Sequence, residues 1–99
     1  MNIRWTEPAV LDLENIRDFI SRDSEYYAVE FTAKIINAVE KLYLLPSMGR
    51  KVPEINDISI REIIFNSYRI ENSKGILILG IIHATRDINN INPHPWEVL

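Results

Sequence analysis

The chain has 99 residues, 46% of them hydrophobic, and no cysteine, which leaves room for one small domain with a single core and excludes a disulfide framework or a thiolate metal site. Its formal net charge of −3 at pH 7 argues against broad non-specific attraction to nucleic acid. The acid excess lies in residues 1–45, where Arg4, Arg17, Arg22, Lys34 and Lys41 face eight acidic side chains, while residues 46–99 balance at six against six. His83 and His94 sit on different segments without metal-ligand spacing, so no metal site is expected. No apolar run approaches the roughly 20 residues of a membrane span, and Met1-Asn2-Ile3-Arg4-Trp5 lacks the basic-then-apolar order of a signal peptide. A soluble, cytoplasmic protein is the expectation.

In chain order, Asn2 to Thr6 alternates around Ile3 and Trp5 and fits a brief strand. Thr6-Glu7-Pro8-Ala9 then reads as a helix start, with a capping hydroxyl, an acid in the first turn, and proline where its missing N–H costs nothing. Ala9, Leu13, Ile16 and Ile20 follow at helical spacing with charge on the other faces. After the break at Arg22-Asp23-Ser24, Ser24 caps a second helix whose inner stripe is Ala28, Phe31, Ile35, Ala38, Leu42 and Leu45. The short connection predicts an antiparallel helical hairpin. Tyr26, Tyr27, Phe31 and Tyr43 read as core and rim rather than as a ligand-stacking platform.

Pro46-Ser47-Met48-Gly49-Arg50 ends the second helix, and Lys51 to Ser59 reads as a loop. Three β-runs follow: Ile60 to Phe65, a two-residue turn at Asn66-Ser67, Tyr68 to Glu71, the polar loop Asn72-Ser73-Lys74-Gly75, and Ile76 to His83. Two hairpins in succession make an antiparallel meander. The third run is apolar on both faces, as a central strand covered on both sides would be, and Gly80 within it predicts a bulge or a close approach by another backbone. From Ile88 the chain is too rich in asparagine and proline for regular structure. Trp96 and Leu99 either pin this tail to the body or form an exposed apolar hook for a partner. The sum is an α+β single domain over residues 1–99, with an N-terminal strand and a helical hairpin packed on an antiparallel sheet completed by the meander.

Arginines punctuate the β-runs. Arg61, Arg69 and Arg86 either converge on a common concave face, where guanidinium groups would clamp phosphate, or make fold-internal ion pairs, such as Arg69 with Glu62 or Glu54. Adjacent residues on a strand point to opposite faces, so direct pairs of Arg61 with Glu62 or Arg86 with Asp87 are disfavoured. His83 is either a general acid or base, with an unperturbed pKa of about 6.5, or a buried ring tied to backbone. Glu54 is a loop carboxylate that becomes a catalytic candidate only if the fold brings it near Arg61 and His83.

Trp5-Thr6-Glu7-Pro8-Ala9 with Asp12-Leu13-Glu14-Asn15-Ile16, Leu45-Pro46-Ser47-Met48-Gly49-Arg50 with Val52-Pro53-Glu54, Arg61-Glu62, Tyr68-Arg69-Ile70 and His83-Ala84-Thr85-Arg86-Asp87 together resemble the RelE/ParE superfamily of toxins. No one of these motifs is decisive, but their joint order and spacing cover nearly the whole chain to Asp87. The resemblance implies the toxin half of a bacterial type II toxin–antitoxin pair, without cofactor or metal, in a hetero-oligomer with a cognate antitoxin and without membrane attachment. RelE-like members cleave mRNA on the ribosome through cationic side chains; ParE-like members poison DNA gyrase. Carried over from the RelE-like motif, Arg69 and Arg86 match the arginines of the middle and last strands, Arg61 is the sole cation of the preceding strand, and Glu54 stands where some relatives have a carboxylate base. The tyrosine or histidine expected shortly beyond Arg86 is replaced by Ile88-Asn89-Asn90-Ile91-Asn92, whereas RNA cleavage needs both a base and an acid. The Trp-Thr start and the His-x-x-Arg-Asp ending look closer to ParE. The expected function is gyrase poisoning, with the ribosome-dependent endoribonuclease and an inactive antitoxin-binding relic as alternatives.

Overall fold

The computed structural model describes residues 3–74, 76–91 and 93–98. Asn2 of the expected first strand, Gly75 of the second hairpin loop, and Asn92 and Leu99 of the tail lie outside the described residues.

Both helix starts follow from local chemistry. Helix α1 (Glu7–Ser21) begins where the Thr6 hydroxyl accepts a hydrogen bond from the Ala9 N–H at 3.2 Å, and α2 (Glu25–Glu40) where Ser24 Oγ accepts from the Tyr27 N–H at 3.1 Å. Each side chain satisfies one of the donors that a helix leaves open at its first turn. Helix α2 tightens into a 3-10 turn, Lys41–Tyr43, which changes the period from about 3.6 to about 3 residues per turn. The stripe therefore runs out of phase. Leu42 is buried, but Leu45, expected on the inner face, is 59% exposed.

Five strands form one sheet: β1 (Arg4–Trp5), β2 (Arg50–Lys51), β3 (Ile60–Phe65), β4 (Tyr68–Ser73) and β5 (Leu77–His83), in the spatial order β1-β5-β4-β3-β2. The meander has the expected order, with Asn66 at φ 51° in the two-residue turn that the β3–β4 register requires, but β4 runs on through Asn72 and Ser73, read as loop, because both pair with β3 and β5. Two corrections apply to the rest. The sheet is mixed rather than wholly antiparallel, because the helical hairpin carries the chain back before it reaches β5, and β1 joins β5 in parallel. Arg50 and Lys51, read as loop, form a short antiparallel edge strand on β3. Gly49 makes that edge possible: its φ is +97°, and a Cβ there would stand 2.5 Å from the Glu62 carbonyl oxygen.

The helices cover one face of the sheet. Ala9, Ile16, Phe31, Ile35, Val39 and Leu42 pack there against Ile63, Ile70, Ile78 and Ile81. Val39, outside the expected stripe, belongs to this core. The opposite face is also covered: Val52, Ile60 and Leu79 are buried there, with Ile55, Leu77 and Trp96 packed around them. At about 1.5–3 kcal/mol for each buried aliphatic side chain, this small cluster suffices to hold a short segment. Strand β5 is thus covered on both sides, as its two-faced apolar pattern predicts, although it lies between the short β1 and β4 and the central place belongs to β4. The register against β4 slips at Leu79, where Glu71 pairs with Gly80 and Asn72 with Ile78, which is the expected bulge. The tail is more ordered than its composition implies, with 3-10 turns at Ile88–Asn90 and Pro95–Val98. Trp96 pins it to the sheet.

Candidate functional site

Alternation along β3 and β4 decides where the arginines go. In the register Ile63↔Ile70 and Ile64↔Arg69, Arg61 shares the helix-covered side with Ile63, while Arg69 points to the other face. The two cations stand on opposite sides of the sheet. Arg86 lies on neither face: it is exposed in the turn after β5, beside a groove it shares with Asp12, Phe19, Tyr68 and His83. The expected convergence of three guanidinium groups on one concave surface is therefore corrected.

Arg69 is the centre of a buried ion-pair network instead. Its Nε donates to Glu62 Oε1 at 2.7 Å, and its two terminal nitrogens donate to Glu54 at 2.6 and 2.9 Å in a bidentate fork. Glu62 is wholly buried and accepts a second bond, from Arg50 Nε at 2.6 Å. The pairing of Arg69 with Glu62 and Glu54 is the fold-internal alternative foreseen from the sequence. Hydrogen bonding to Glu54 is the main reason the Arg69 guanidinium is held still more firmly protonated than usual, and the same bond pulls the Glu54 carboxyl below its ordinary value. Glu54 is accordingly tied to Arg69, not to Arg61 or His83.

Sequence reading missed Glu71. It is fully buried and lies directly across from Glu62, with Arg69 Nε at 3.6 Å from its Oε1, too far for a hydrogen bond. Burial, and then its hydrogen bond to the adjacent Glu62, push its carboxyl up to about 9. A signal for this was available. The two-residue turn at Asn66-Ser67 pairs Phe65 with Tyr68, and counting back along both strands sets Glu62 opposite Glu71.

His83 and Arg86 do come together at the groove between α1 and β5. The His83 ring stands edge-on to Tyr68, centroids 5.2 Å apart, and its Nδ1 accepts from the Thr85 N–H at 3.2 Å. Its tie to backbone was expected, although the ring is half-buried rather than buried. Across the groove Asp12 Oδ2 accepts from the Ile81 N–H at 3.0 Å, closing the β5 edge that the two-residue β1 leaves open. Burial raises the Asp12 carboxyl, while the Ile81 bond and the Arg86 charge act against that rise.

Among the described residues no hydrogen bond or ion pair holds the Arg61 side chain, and its partner on β2 is Lys51. No group of three or more histidine, cysteine or acidic residues among them is arranged to hold a metal ion, and no helix among them is long and apolar enough to cross a membrane.

The α+β layering, the Arg69 network and the Arg86 turn can be set beside known proteins. Residues 3–88 match the family described as ParE toxin of type II toxin-antitoxin system, parDE. The chain belongs to the ParE toxin family, within the RelE/ParE superfamily. A solved structure from P. aeruginosa, the chromosomal ParDE toxin–antitoxin system, has the same fold, with a TM-score of 0.67 and 22% identity over 84% of this chain and 95% of that one. No curated protein matches significantly.

Proposed function

We propose that this chain is a growth-inhibiting toxin that acts by trapping DNA gyrase, through protein contacts rather than RNA chemistry, and that a cognate antitoxin neutralises it. The observation that carries this reading is the occupancy of Arg69. A phosphoryl-transfer site needs cationic donors aimed at the position where negative charge develops. Here Arg69 is engaged by Glu54 and Glu62, and Arg61 and Arg86 lie elsewhere. A phosphate approaching Arg69 would meet two carboxylates, and the neighbouring Arg50 guanidinium is itself engaged by Glu62. His83 and Arg86 remain together at the α1–β5 groove, where no further cation among the described residues lines it to complete a clamp. Membership of the ParE family supports the same direction, as does the acidic net charge, which disfavours approach to RNA.

The test is induction of the chain alone in growing cells, with plasmid supercoiling and mRNA integrity scored in the same culture. Growth arrest with relaxed or cleaved DNA and intact mRNA is expected, reversed by co-expression of the antitoxin. Site-specific mRNA cleavage with normal supercoiling would replace this reading by the endoribonuclease one. Unaffected growth would leave the antitoxin-binding relic.

A further inference from the structure

The sheet face away from the helices holds two cations, Arg50 and Arg69, and three carboxyl groups, Glu54, Glu62 and Glu71. Two cations balance two carboxylates. The third has no counter-charge of its own, and among the described residues neither ionised oxygen of Glu71 would find a hydrogen-bond donor. An unpaired charge in that position is the costly case for a buried ion, whereas a protonated Glu71 donates to Glu62 and leaves the cluster neutral.

The C-terminal segment forms the roof of this cluster. The turn Pro95–Val98 packs on β4 and β5, and Trp96 packs against Val52, Ile60 and Leu79. Gly80, the partner of Glu71 across β4 and β5, has no side chain, and a Cβ there would lie 3.4 Å from Pro95. Pro95 thus stands over the residue beside Glu71.

We propose that Glu62 and Glu71 hold a single shared proton beneath the C-terminal segment, and that losing this proton releases residues 93–98 from the sheet. The bond broken is the Glu71 O–H; the proton passes to solvent, and the cluster is left with three carboxylates facing two guanidinium groups. The other ionisable groups around the tail do not supply the same switch. On the tail, His94 Nδ1 and Glu97 Oε1 pair with each other at 2.8 Å. Asp12, which reaches Gly80 from α1, is bonded to the Ile81 N–H and faces Arg86. Glu54 is held ionised by Arg69. Glu71 is raised to about 9, where an alkaline shift removes its proton.

The experiment uses the full chain with Trp5→Phe, so that Trp96 is the sole tryptophan, and follows its emission and acrylamide quenching from pH 7 to just below 10. A red shift and a rise in quenching centred near the Glu71 titration, with far-UV circular dichroism unchanged, are expected. Adding Glu71→Gln, which keeps the donor but has no proton to lose, should flatten both curves. Equal curves with and without Glu71→Gln, or loss of helical signal at the same pH as the tail signal, would overturn the proposal. Should either variant fail to fold, the side-chain carboxyl 13C shift of Glu71 in the unaltered chain decides: a midpoint in the ordinary carboxylate range contradicts the shared proton, and one well above neutrality supports it.

Discussion

At the scale of single residues, the fate of Arg69 shows why a cation in a β-run is ambiguous. Its position on β4 and its candidate partners were legible; the choice between ion pair and phosphate clamp was not, because it turns on where the loop at Glu54 and Glu62 across the hairpin come to lie. Removing the guanidinium leaves Glu62, fully buried, with Arg50 as its one remaining cationic partner among the described residues. Arg69→Ala should therefore cost about 3–5 kcal/mol in denaturant unfolding, with little of that from the partly exposed Glu54. Arg61→Ala, which disturbs no hydrogen bond or ion pair among the described residues, should stay within about 0.5 kcal/mol. Loss of toxicity in the first variant would then report lost folding, not lost chemistry. Glu71 adds a pH dependence of definite sign. Its carboxyl ionises near 4.5 in the unfolded chain but only near 9 in the fold, so between those values the unfolded state binds fewer protons and stability falls as pH rises. Urea midpoints measured from pH 5 to 9 should decline, and Glu71→Gln should remove most of that decline. Glu54 acts oppositely: its depressed value stabilises above its unfolded pKa and is lost on acidification.

At the scale of elements, local signals sufficed where local chemistry decides. Thr6 and Ser24 were readable as caps and are caps. Ser24→Ala should cost about 1 kcal/mol, measurable by thermal unfolding. The elements that escaped reading are set by distant partners. Strand β2 is two residues long and exists only through its pairing with β3. The parallel direction of β1 depends on where β5 returns. The tail lacks a regular hydrophobic period, and its order comes from Ile88, which is buried, and Trp96 on the far face. Gly49 offers a test of the β2 connection. A side chain there meets both a positive φ and the Glu62 carbonyl, so Gly49→Ala should destabilise by about 1–3 kcal/mol, against the usual gain from replacing glycine.

At the scale of the whole molecule, the layered α+β architecture was legible because cap, stripe and hairpin signals agreed with one another. The disposition of the cations was not, because it depends on face parity across a register that no single strand contains. That parity separates Arg61 from Arg69, and the turn after β5 carries Arg86 away from both. Family membership makes the chain a ParE toxin, and this dispersal supports the proposed action on a protein rather than on a scissile phosphate. The most direct test is purified chain titrated into a DNA gyrase supercoiling reaction, with a ribosome-bound mRNA cleavage reaction run in parallel. Inhibition of supercoiling, with mRNA left whole at the same concentrations, is the predicted result. Unimpaired supercoiling beside cleaved mRNA would contradict it.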